Sequence, residues 1–176
     1  MTKTLDLGCG ENPRNPYNAE ELYGIDLNGT GLGNIRQADL ALHNIPFPSG
    51  FFNYVTAYDF LEHIPRYIYI PDFLGLPKLK YPFVQLMNEI YRVLKDDGIF
   101  YSSTPCIPYG AAFQDPTHVN YITPDTFGEY FDDKKTWAKH YGFNGAFKIV
   151  SLEIQPPHLV AVLQKVKLSE PHPEAA

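Results

Sequence analysis

The sequence has few cysteines and no long apolar segment. Cys9 and Cys106 are the only two cysteines among 176 residues, too few for a disulfide framework or for a zinc site made of cysteines alone. We therefore expect a chain that is kept reduced in the cytoplasm. No apolar run approaches the ~20 residues of a membrane-spanning helix, and no signal peptide precedes the first predicted strand. No membrane partner is expected.

Positive charge is also scarce. Fourteen lysines and arginines stand against twenty aspartates and glutamates, which gives a net charge of −6. Such a chain has no broad attraction to nucleic acid, so no nucleic-acid partner is expected. Hydrophobic residues make up 44% and charged residues 19% of the chain, a composition typical of a folded protein. We expect one domain over residues 1–167 and a flexible tail over residues 168–176.

Aromatic residues and prolines are abundant instead. The chain contains 13 tyrosines, 12 phenylalanines and 16 prolines. A small core that gains buried area from large side chains explains the aromatic residues, and so does a ligand cleft lined with rings. The sequence leaves both interpretations open.

Apolar segments that alternate with turn residues predict both strands and helices. The clearest helix is marked by apolar residues at three- and four-residue spacing: Phe83, Leu86, Met87, Ile90, Val93 and Leu94. Strands are predicted over residues 4–7, 22–27, 35–40, 52–58 and 99–103, and a hairpin over residues 147–154 and 159–166. Shorter helices are expected from Phe60 to Ile64 and from Pro124 to Phe131, the second with Thr123 as its N-cap. Pro16 disfavours a long helix between the first two strands.

This alternation predicts an α/β fold. We expect a Rossmann-like, doubly wound sheet that is mainly parallel, with helices on both faces and a C-terminal antiparallel hairpin strand. Ligands of such sheets bind at the carboxyl ends of the strands, where the strand order reverses. The chemically informative motifs all follow predicted strands.

The segment LDLGCG, residues 5–10, ends the first predicted strand. Gly8 and Gly10 permit a tight turn and a close approach of a ligand to the backbone. A dinucleotide fingerprint requires a third glycine where this chain has Pro13. Asp6 is unfavourable beside a pyrophosphate but favourable beside a cationic ligand.

Two carboxylates follow the next strands. Asp26 ends the second strand, where a carboxylate can accept hydrogen bonds from ribose hydroxyls. Residues 26–29 are also typical of a simple turn. Asp39, near the end of the third strand, either accepts from an adenine amino group or is solvated.

These motifs resemble those of the class I S-adenosylmethionine-dependent methyltransferases, in the broad type 11 subgroup that includes enzymes of ubiquinone and menaquinone biosynthesis. The matching segments, in chain order, are residues 5–10, 23–27, 38–40, 45–48, 52–55, 58–64 and 91–98. The resemblance covers about residues 4–165 and implies methyl transfer from S-adenosylmethionine, with S-adenosylhomocysteine as product. The sequence does not identify the acceptor, for which we expect a small molecule.

The resemblance also implies how the methionine end of the cofactor is bound. Asp6 is expected near its amino group. Gly8, Cys9 and Gly10 are expected to supply backbone contacts to the methionine part, with Cys9 as a small motif residue rather than a nucleophile. Tyr58 is expected beneath the methionine end.

For the nucleoside end, the resemblance implies that Asp26 holds the ribose, that Leu27 covers the adenine, and that Asp39 and Leu40 flank it. Two features depart from the family pattern. The segment after Gly10 is short and carries prolines, and little chain precedes the first strand. Both predict a reduced first helix and a more open cofactor site.

Methyl transfer requires a base only when the nucleophile must lose a proton. The candidate catalytic residues are Asp59, His63 and His118. Each also has a purely structural explanation: Asp59 as a helix N-cap, His63 in helix capping and packing, and His118 as a loop histidine bonded to backbone.

No metal site is predicted. His63, Asp115, His118 and His140 are residue types that bind metals, but no pair has the spacing of ligands on one helix or hairpin. Cys106 is expected to be a small buried residue.

Two loops are candidates for contacts with substrate or with another chain. Residues 65–82 are rich in aromatics and resemble an insertion that forms a lid, a homodimer contact or a packed surface loop. Residues 105–122 form a long loop after the fifth predicted strand, and such loops are usually functional.

Three other functions remain open at this point. Tyr91 and Lys95 have the spacing of the catalytic pair of short-chain dehydrogenases, but both lie on the predicted amphipathic helix. A nucleic-acid methyltransferase is disfavoured by charge and by the residues after the fourth strand. A cofactor-binding module without catalysis, supporting a partner subunit, is the main alternative.

Overall fold

A computed structural model of the chain describes residues 1–29, 31 and 33–168. Most of the predicted tail, from residue 169 onward, lies outside the described residues. The strands are β1 (Lys3–Leu7), β2 (Glu21–Asp26), β3 (Ile35–Gln37), β4 (Phe52–Tyr58), β5 (Ile68–Pro71), β6 (Pro77–Lys80), β7 (Leu94–Pro105), β8 (Phe147–Gln155) and β9 (His158–Lys165). The α-helices are α1 (Pro82–Val93), α2 (Ala111–Gln114) and α3 (Thr126–Tyr130), and 3-10 helices cover Leu61–His63 and Trp137–Tyr141.

Seven strands form one sheet in the order β3-β2-β1-β4-β7-β9-β8. All neighbouring pairs from β3 to β7 are parallel, and β9 is antiparallel to both β7 and β8. This confirms the predicted Rossmann-like sheet with its terminal hairpin. The strand order reverses between β1 and β4, so the carboxyl ends of these two strands border the expected ligand cleft.

One face of the sheet is covered by the long amphipathic helix. Leu5, Val55 and Phe100 point to this face and are fully buried. Phe83, Leu86, Met87, Ile90 and Val93 of α1 belong to the same core, which confirms the helical spacing predicted for these five residues; Leu94, predicted with them, begins β7. Burial of this apolar stripe is the main source of stability for such a helix.

On the opposite face of the sheet, the segment between β1 and β2 packs a ring against β4. Residues 11–20 contain no helix, as the prolines predict. Tyr17 of this segment stacks on Tyr54 of β4, with ring centroids 4.3 Å apart and planes 6° from parallel. The irregular segment therefore lies on the sheet face that carries Asp6 and Thr56. Asp6 and Thr56 are both buried on this face.

Two charged residues near the end of α1, Glu89 and Arg92, form a clamp. Arg92 of α1 donates to the carboxylate of Glu89 and to the carbonyl oxygens of Ile45 and Phe47, at 2.6–2.8 Å. Glu89 in turn accepts from the Ile45 amide at 2.9 Å. The clamp fixes the chain between β3 and β4 against α1.

The aromatic insertion is a two-stranded antiparallel hairpin, β5 with β6, separate from the main sheet. Its tip exposes large apolar side chains, among them Phe73 at 93%. Within the residues that the structure describes, no helix has the length and apolarity needed to cross a membrane.

Several local predictions need correction. The helix expected over 60–64 is a single 3-10 turn, and the helix expected from Pro124 begins at Thr126. Asp125 rather than Thr123 precedes that helix, because the side chain of Thr126 turns back to the Thr123 amide. The third strand ends at Gln37, and β7 begins directly after α1 at Leu94 instead of at residue 99.

Candidate functional site

The turn after β1 brings backbone to the carboxyl edge of the sheet. Gly8 and Gly10 both have positive φ, at 68° and 57°, a conformation that other residues adopt only with strain. The amides of Gly8 and Cys9 donate to the carbonyl of Ile25 in β2, at 2.8 and 3.1 Å. A Cβ on Gly8 would lie 2.5 Å from Cδ2 of Phe60, whereas a Cβ on Gly10 would meet nothing within 4 Å. The turn is therefore packed on one side and open at Gly10.

Asp26 is joined to this turn. Its Oδ2 accepts from the Gly10 amide at 2.9 Å, and its Oδ1 accepts from the Asn28 amide at 2.8 Å. The carboxylate is half-buried, and each oxygen keeps a further lone pair. The turn interpretation and the ligand interpretation of residues 26–29 are thus both compatible with the structure.

A cavity of about 460 Å³ lies beside the end of β2. Its lining residues are Leu27, Gln37, Ala38, Asp39, His43, Asn44 and Pro46. Leu27 is 59% exposed, which leaves its side chain free to cover a ring. Leu40 is packed in the core at 6% exposure, so only its backbone remains for the adenine contact expected of it. His43 and Asn44 belong to no sequence motif and were not predicted.

Asp6 is 2% exposed. Its Oδ1 accepts from the Thr56 hydroxyl at 2.6 Å and its Oδ2 from the Arg14 amide at 2.8 Å. Burial raises the pKa of this carboxyl, and these hydrogen bonds oppose the rise. Asp6 therefore anchors the segment after the glycine turn, in addition to placing negative charge beneath the site.

Tyr58 ends β4 on the same face as Asp6. The guanidinium carbon of Arg14 lies 4.3 Å from the centroid of the Tyr58 ring, a cation–π distance. Burial, with Tyr101 as neighbour, raises the pKa of Tyr58 to about 12, so the phenol stays neutral. The place expected for the methionine end of a cofactor thus holds the Tyr58 ring and the buried Asp6 carboxylate. It also holds the guanidinium of Arg14, which the sequence analysis did not predict.

The candidate base Asp59 has a partner far away in the chain. Its Oδ1 lies 2.8 Å from Nε2 of His158, which begins β9. Asp59 adopts a φ of 48°, a strained value for a residue other than glycine. It makes no side-chain cap of the following 3-10 helix, so its predicted structural role as an N-cap is wrong. No sequence signal indicated His158.

The other two candidate bases lie together around Glu62. The rings of His63 and His118 have centroids 4.8 Å apart, and Nε2 of His118 lies 3.9 Å from Oε1 of Glu62. Burial raises the pKa of Glu62 to about 7. Glu62, His63 and His118 offer ligand atoms within 4.8 Å of one another. Spacing along the chain did not predict this cluster, because Glu62 and His118 meet only through the loop after β7.

A second cavity, of about 390 Å³, lies between the insertion and α3. Its lining includes Arg66, Tyr81, Phe83, Asn120, Thr126 and Tyr130. Arg66 donates to Oδ1 of Asn120 at 2.9 Å and to the carbonyl of Tyr121. The cavity is mainly apolar, and its lining carries one cation, Arg66, and one carboxylate, Asp125.

A family model described as a methyltransferase domain matches residues 2–145. No curated protein sequence matches the chain. Solved structures with the same fold include the YcgJ protein from Bacillus subtilis, which is 14% identical with a TM-score of 0.57, where the match covers 95% of this chain and 93% of that one.

Two further structures have TM-scores of 0.58. One is an S-adenosylmethionine-dependent methyltransferase from Archaeoglobus fulgidus, 15% identical, with 94% of this chain and 86% of that chain covered. The other is a chain from a complex between the Haloferax volcanii Trm112 methyltransferase activator and a methyltransferase, 12% identical, with 94% and 83% covered. At such identities the likeness concerns the fold.

Proposed function

The chain belongs to the class I S-adenosylmethionine-dependent methyltransferases, and we propose that its methyl acceptor is a small molecule bound at the carboxyl ends of β4 and β7. The observation that carries the methyl-transfer function is the alignment of three features along one sheet edge. These are the open glycine turn at Gly10, the half-buried Asp26 carboxylate and the aromatic floor at Tyr58.

The residues present fit the cofactor. A cavity of about 460 Å³ is within the range of small-molecule sites, and Leu27 and Asp39 offer an apolar cover and an acceptor for a purine. When bound, S-adenosylmethionine supplies a methyl group activated by the positive sulfur. Asp26 holds the ribose hydroxyls with the lone pairs left free by Gly10 and Asn28.

Asp6 and Arg14 match the charges of the methionine end. A free amino acid end carries an ammonium and a carboxylate, and the two side chains have the complementary signs. Arg14 has its amide fixed on Asp6, so a movement of its side chain alone brings the guanidinium from the Tyr58 ring to a carboxylate. The neutral Tyr58 ring stabilises positive charge above it.

Asp59 and His158 are the proposed base. Their hydrogen bond orients the imidazole, and both side chains reach solvent at the cleft. The lone pair of an acceptor hydroxyl or amine attacks the methyl carbon, and the proton of that acceptor group passes to Asp59 and His158. Such a base contributes about 10²–10⁴-fold to a rate. His63 and His118, the other candidates, are held at Thr117 and Ala112 instead.

The mainly apolar cavity at Arg66 supports an acceptor of small size. Its volume of about 390 Å³ suits a drug-sized molecule rather than a strand of nucleic acid. Its aromatic lining favours a ring-containing acceptor, and Arg66 and Asp125 place one charge of each sign beside it.

The test is transfer of isotopically labelled methyl from S-adenosylmethionine into small-molecule, RNA, DNA and protein fractions of a cell extract. We expect label in the small-molecule fraction, and at least a hundredfold loss in His158→Ala. That variant should bind S-adenosylhomocysteine as the unchanged protein does. Label found only in a macromolecular fraction would overturn the proposed acceptor class.

A cofactor-binding module that supports a partner is the second candidate. It is favoured by the absence of a helix over residues 11–20, the segment that follows the cofactor turn. The structure from Haloferax volcanii contains an activator beside its methyltransferase. Cofactor binding without label transfer to any fraction would favour the cofactor-binding module.

A further inference from the structure

A carboxylate and two imidazoles converge next to the proposed base but take no part in it. Glu62, His63 and His118 each offer one ligand atom, and these atoms lie within 4.8 Å of one another. The three residues come from the 3-10 turn after β4 and from the loop after β7, both at the carboxyl edge of the sheet. Phe60, two residues before Glu62, lies against Gly8 of the cofactor turn.

Glu62 is the unusual member of this cluster. Its side chain is 1% exposed, and in the part of the chain that the structure describes neither carboxylate oxygen has a hydrogen-bond partner. Its carbonyl accepts from the amides of Val119 and Asn120, both at 2.9 Å, which fixes the backbone. Buried carboxylates without partners are rare and costly. A bound cation removes this cost.

Outer hydrogen bonds orient both imidazoles. His118, 8% exposed, has its Nδ1 3.3 Å from the carbonyl of Ala112, so this nitrogen carries the proton and Nε2 is free to bind. Nδ1 of His63 lies 3.0 Å from the Thr117 hydroxyl, which donates to Asp115 at 2.6 Å. Such second contacts on ring nitrogens are typical of metal-binding histidines.

We propose that Glu62, His63 and His118 bind a first-row divalent transition-metal ion, Zn²⁺ or Mn²⁺, beside the acceptor site. Two imidazole nitrogens and one carboxylate oxygen, without thiolate, are a donor set for these ions rather than for Mg²⁺. Tetrahedral ligands ~2.1 Å from Zn²⁺ are about 3.4 Å apart. The ligand atoms, which lie within 4.8 Å of one another, reach that spacing by side-chain rotation.

Three protein ligands leave a coordination position for substrate. Asp115 marks the solvent-facing side, with Oδ2 3.9 Å from Nε2 of His118 and a side chain 44% exposed. We assign the open position to an oxygen of the acceptor, an extension that rests on the proposed function. A hydroxyl held there would be positioned to give its proton to Asp59–His158 and to form the bond from its oxygen to the methyl carbon, while the electron pair of the broken carbon–sulfur bond would stay on sulfur.

Ion binding is tested without any acceptor. The full chain is stripped with a chelator, dialysed, and titrated calorimetrically with ZnCl₂, MnCl₂ or MgCl₂ alone. We expect one equivalent of Zn²⁺ or Mn²⁺ to bind, at least tenfold more weakly in Glu62→Gln and in His118→Gln. His140→Ala, a change to an exposed histidine outside the cluster, is the matched control and should bind as the unchanged protein does.

S-adenosylhomocysteine binding on the same samples shows that each variant is folded. A protein that binds S-adenosylhomocysteine but takes up no stoichiometric Zn²⁺ or Mn²⁺ overturns the metal site and leaves the methyltransferase proposal intact. Equal ion affinity in all variants also overturns it. Should the variants fail to fold, carbethoxylation of His63 in the unchanged protein decides: we expect Zn²⁺ to slow it at least tenfold and to leave His140 unaffected.

Discussion

The amide of Gly10 donates a hydrogen bond to Oδ2 of Asp26 at 2.9 Å. The glycine turn after β1 and the carboxylate after β2 are therefore held as one unit, although 16 residues separate them. A ligand that contacts the backbone at Gly10 is then close to the carboxylate as well.

Asp26→Ala should weaken binding of S-adenosylmethionine and S-adenosylhomocysteine by ~1–3 kcal/mol, because the ribose hydroxyls lose their acceptor. This corresponds to roughly 5- to 150-fold in the dissociation constant. Isothermal titration with S-adenosylhomocysteine measures it, with exposed Asp133→Ala as the control. Unchanged affinity in Asp26→Ala would remove this residue from the site.

Gly24 of β2 leaves room for the Cys9 thiol. A Cβ on Gly24 would lie 2.4 Å from Sγ of Cys9 and 3.0 Å from Cγ of Pro13. Gly24→Ala should lower the free energy of unfolding by ~1–3 kcal/mol, and adding Cys9→Ala should restore about half of it. Urea unfolding of both variants gives the coupling.

Gly110→Ala is the control for that cycle. Gly110 has a φ of −56° and no atom within 4 Å of a built Cβ, so we expect a change below ~0.5 kcal/mol. If Cys9→Ala and Gly24→Ala were strictly additive, the steric account of this pair would be wrong.

Arg14→Gln should weaken S-adenosylmethionine and S-adenosylhomocysteine equally, by ~1.5 kcal/mol or more, since both share the carboxylate that the guanidinium is proposed to hold. Arg14→Lys keeps the charge and should lose less. Competition titrations with the two ligands measure the ratio. Stronger binding of S-adenosylmethionine alone in Arg14→Gln would show instead that Arg14 repels the positive sulfur.

Cys9 should react slowly with iodoacetamide. Burial, with the charges of Asp6 and Asp26, raises its pKa to about 11, and only the thiolate is nucleophilic. A raised pKa lowers the thiolate fraction at any pH below it, so at pH 8 we expect alkylation roughly a hundredfold slower than in the urea-unfolded chain. The rate should rise about tenfold for each pH unit up to pH 10.

Peptide mass spectrometry follows this alkylation at both cysteines. Cys106 is fully buried, as the sequence predicts, so its modification reports unfolding and serves as the internal control. A midpoint near pH 8.5 for Cys9 in the folded chain would contradict the raised pKa.

Local sequence was sufficient for the parts of the fold that depend on local physics. Apolar spacing identifies α1, and turn residues such as Gly8 and Gly10 mark the strand ends where the sheet collects its functional groups. Pro16 correctly predicts that no long helix follows the first strand. The insertion became a hairpin because Asp72 and Gly75 form a turn, which the aromatic pattern did not indicate.

Local sequence could not predict contacts between residues that are far apart in the chain. His158 meets Asp59 across 99 residues, and His118 meets Glu62 through a loop whose path depends on the Val119 and Asn120 amides. Arg14 reaches Tyr58 because its own amide is bound by Asp6. In each case the partner was set by tertiary packing, so spacing along the chain carried no signal.

Cofactor recognition is tested most directly by thermal unfolding of the unchanged protein with S-adenosylmethionine, S-adenosylhomocysteine, NAD or no ligand. A ligand at 100 times its dissociation constant stabilises by ~2.7 kcal/mol, which for a chain of this size raises the midpoint by roughly 5–10 °C. We predict this shift with the two sulfur compounds and none with NAD. No shift with either sulfur compound, or an equal shift with NAD, would contradict the assignment of the Gly10–Asp26 unit as the S-adenosylmethionine site.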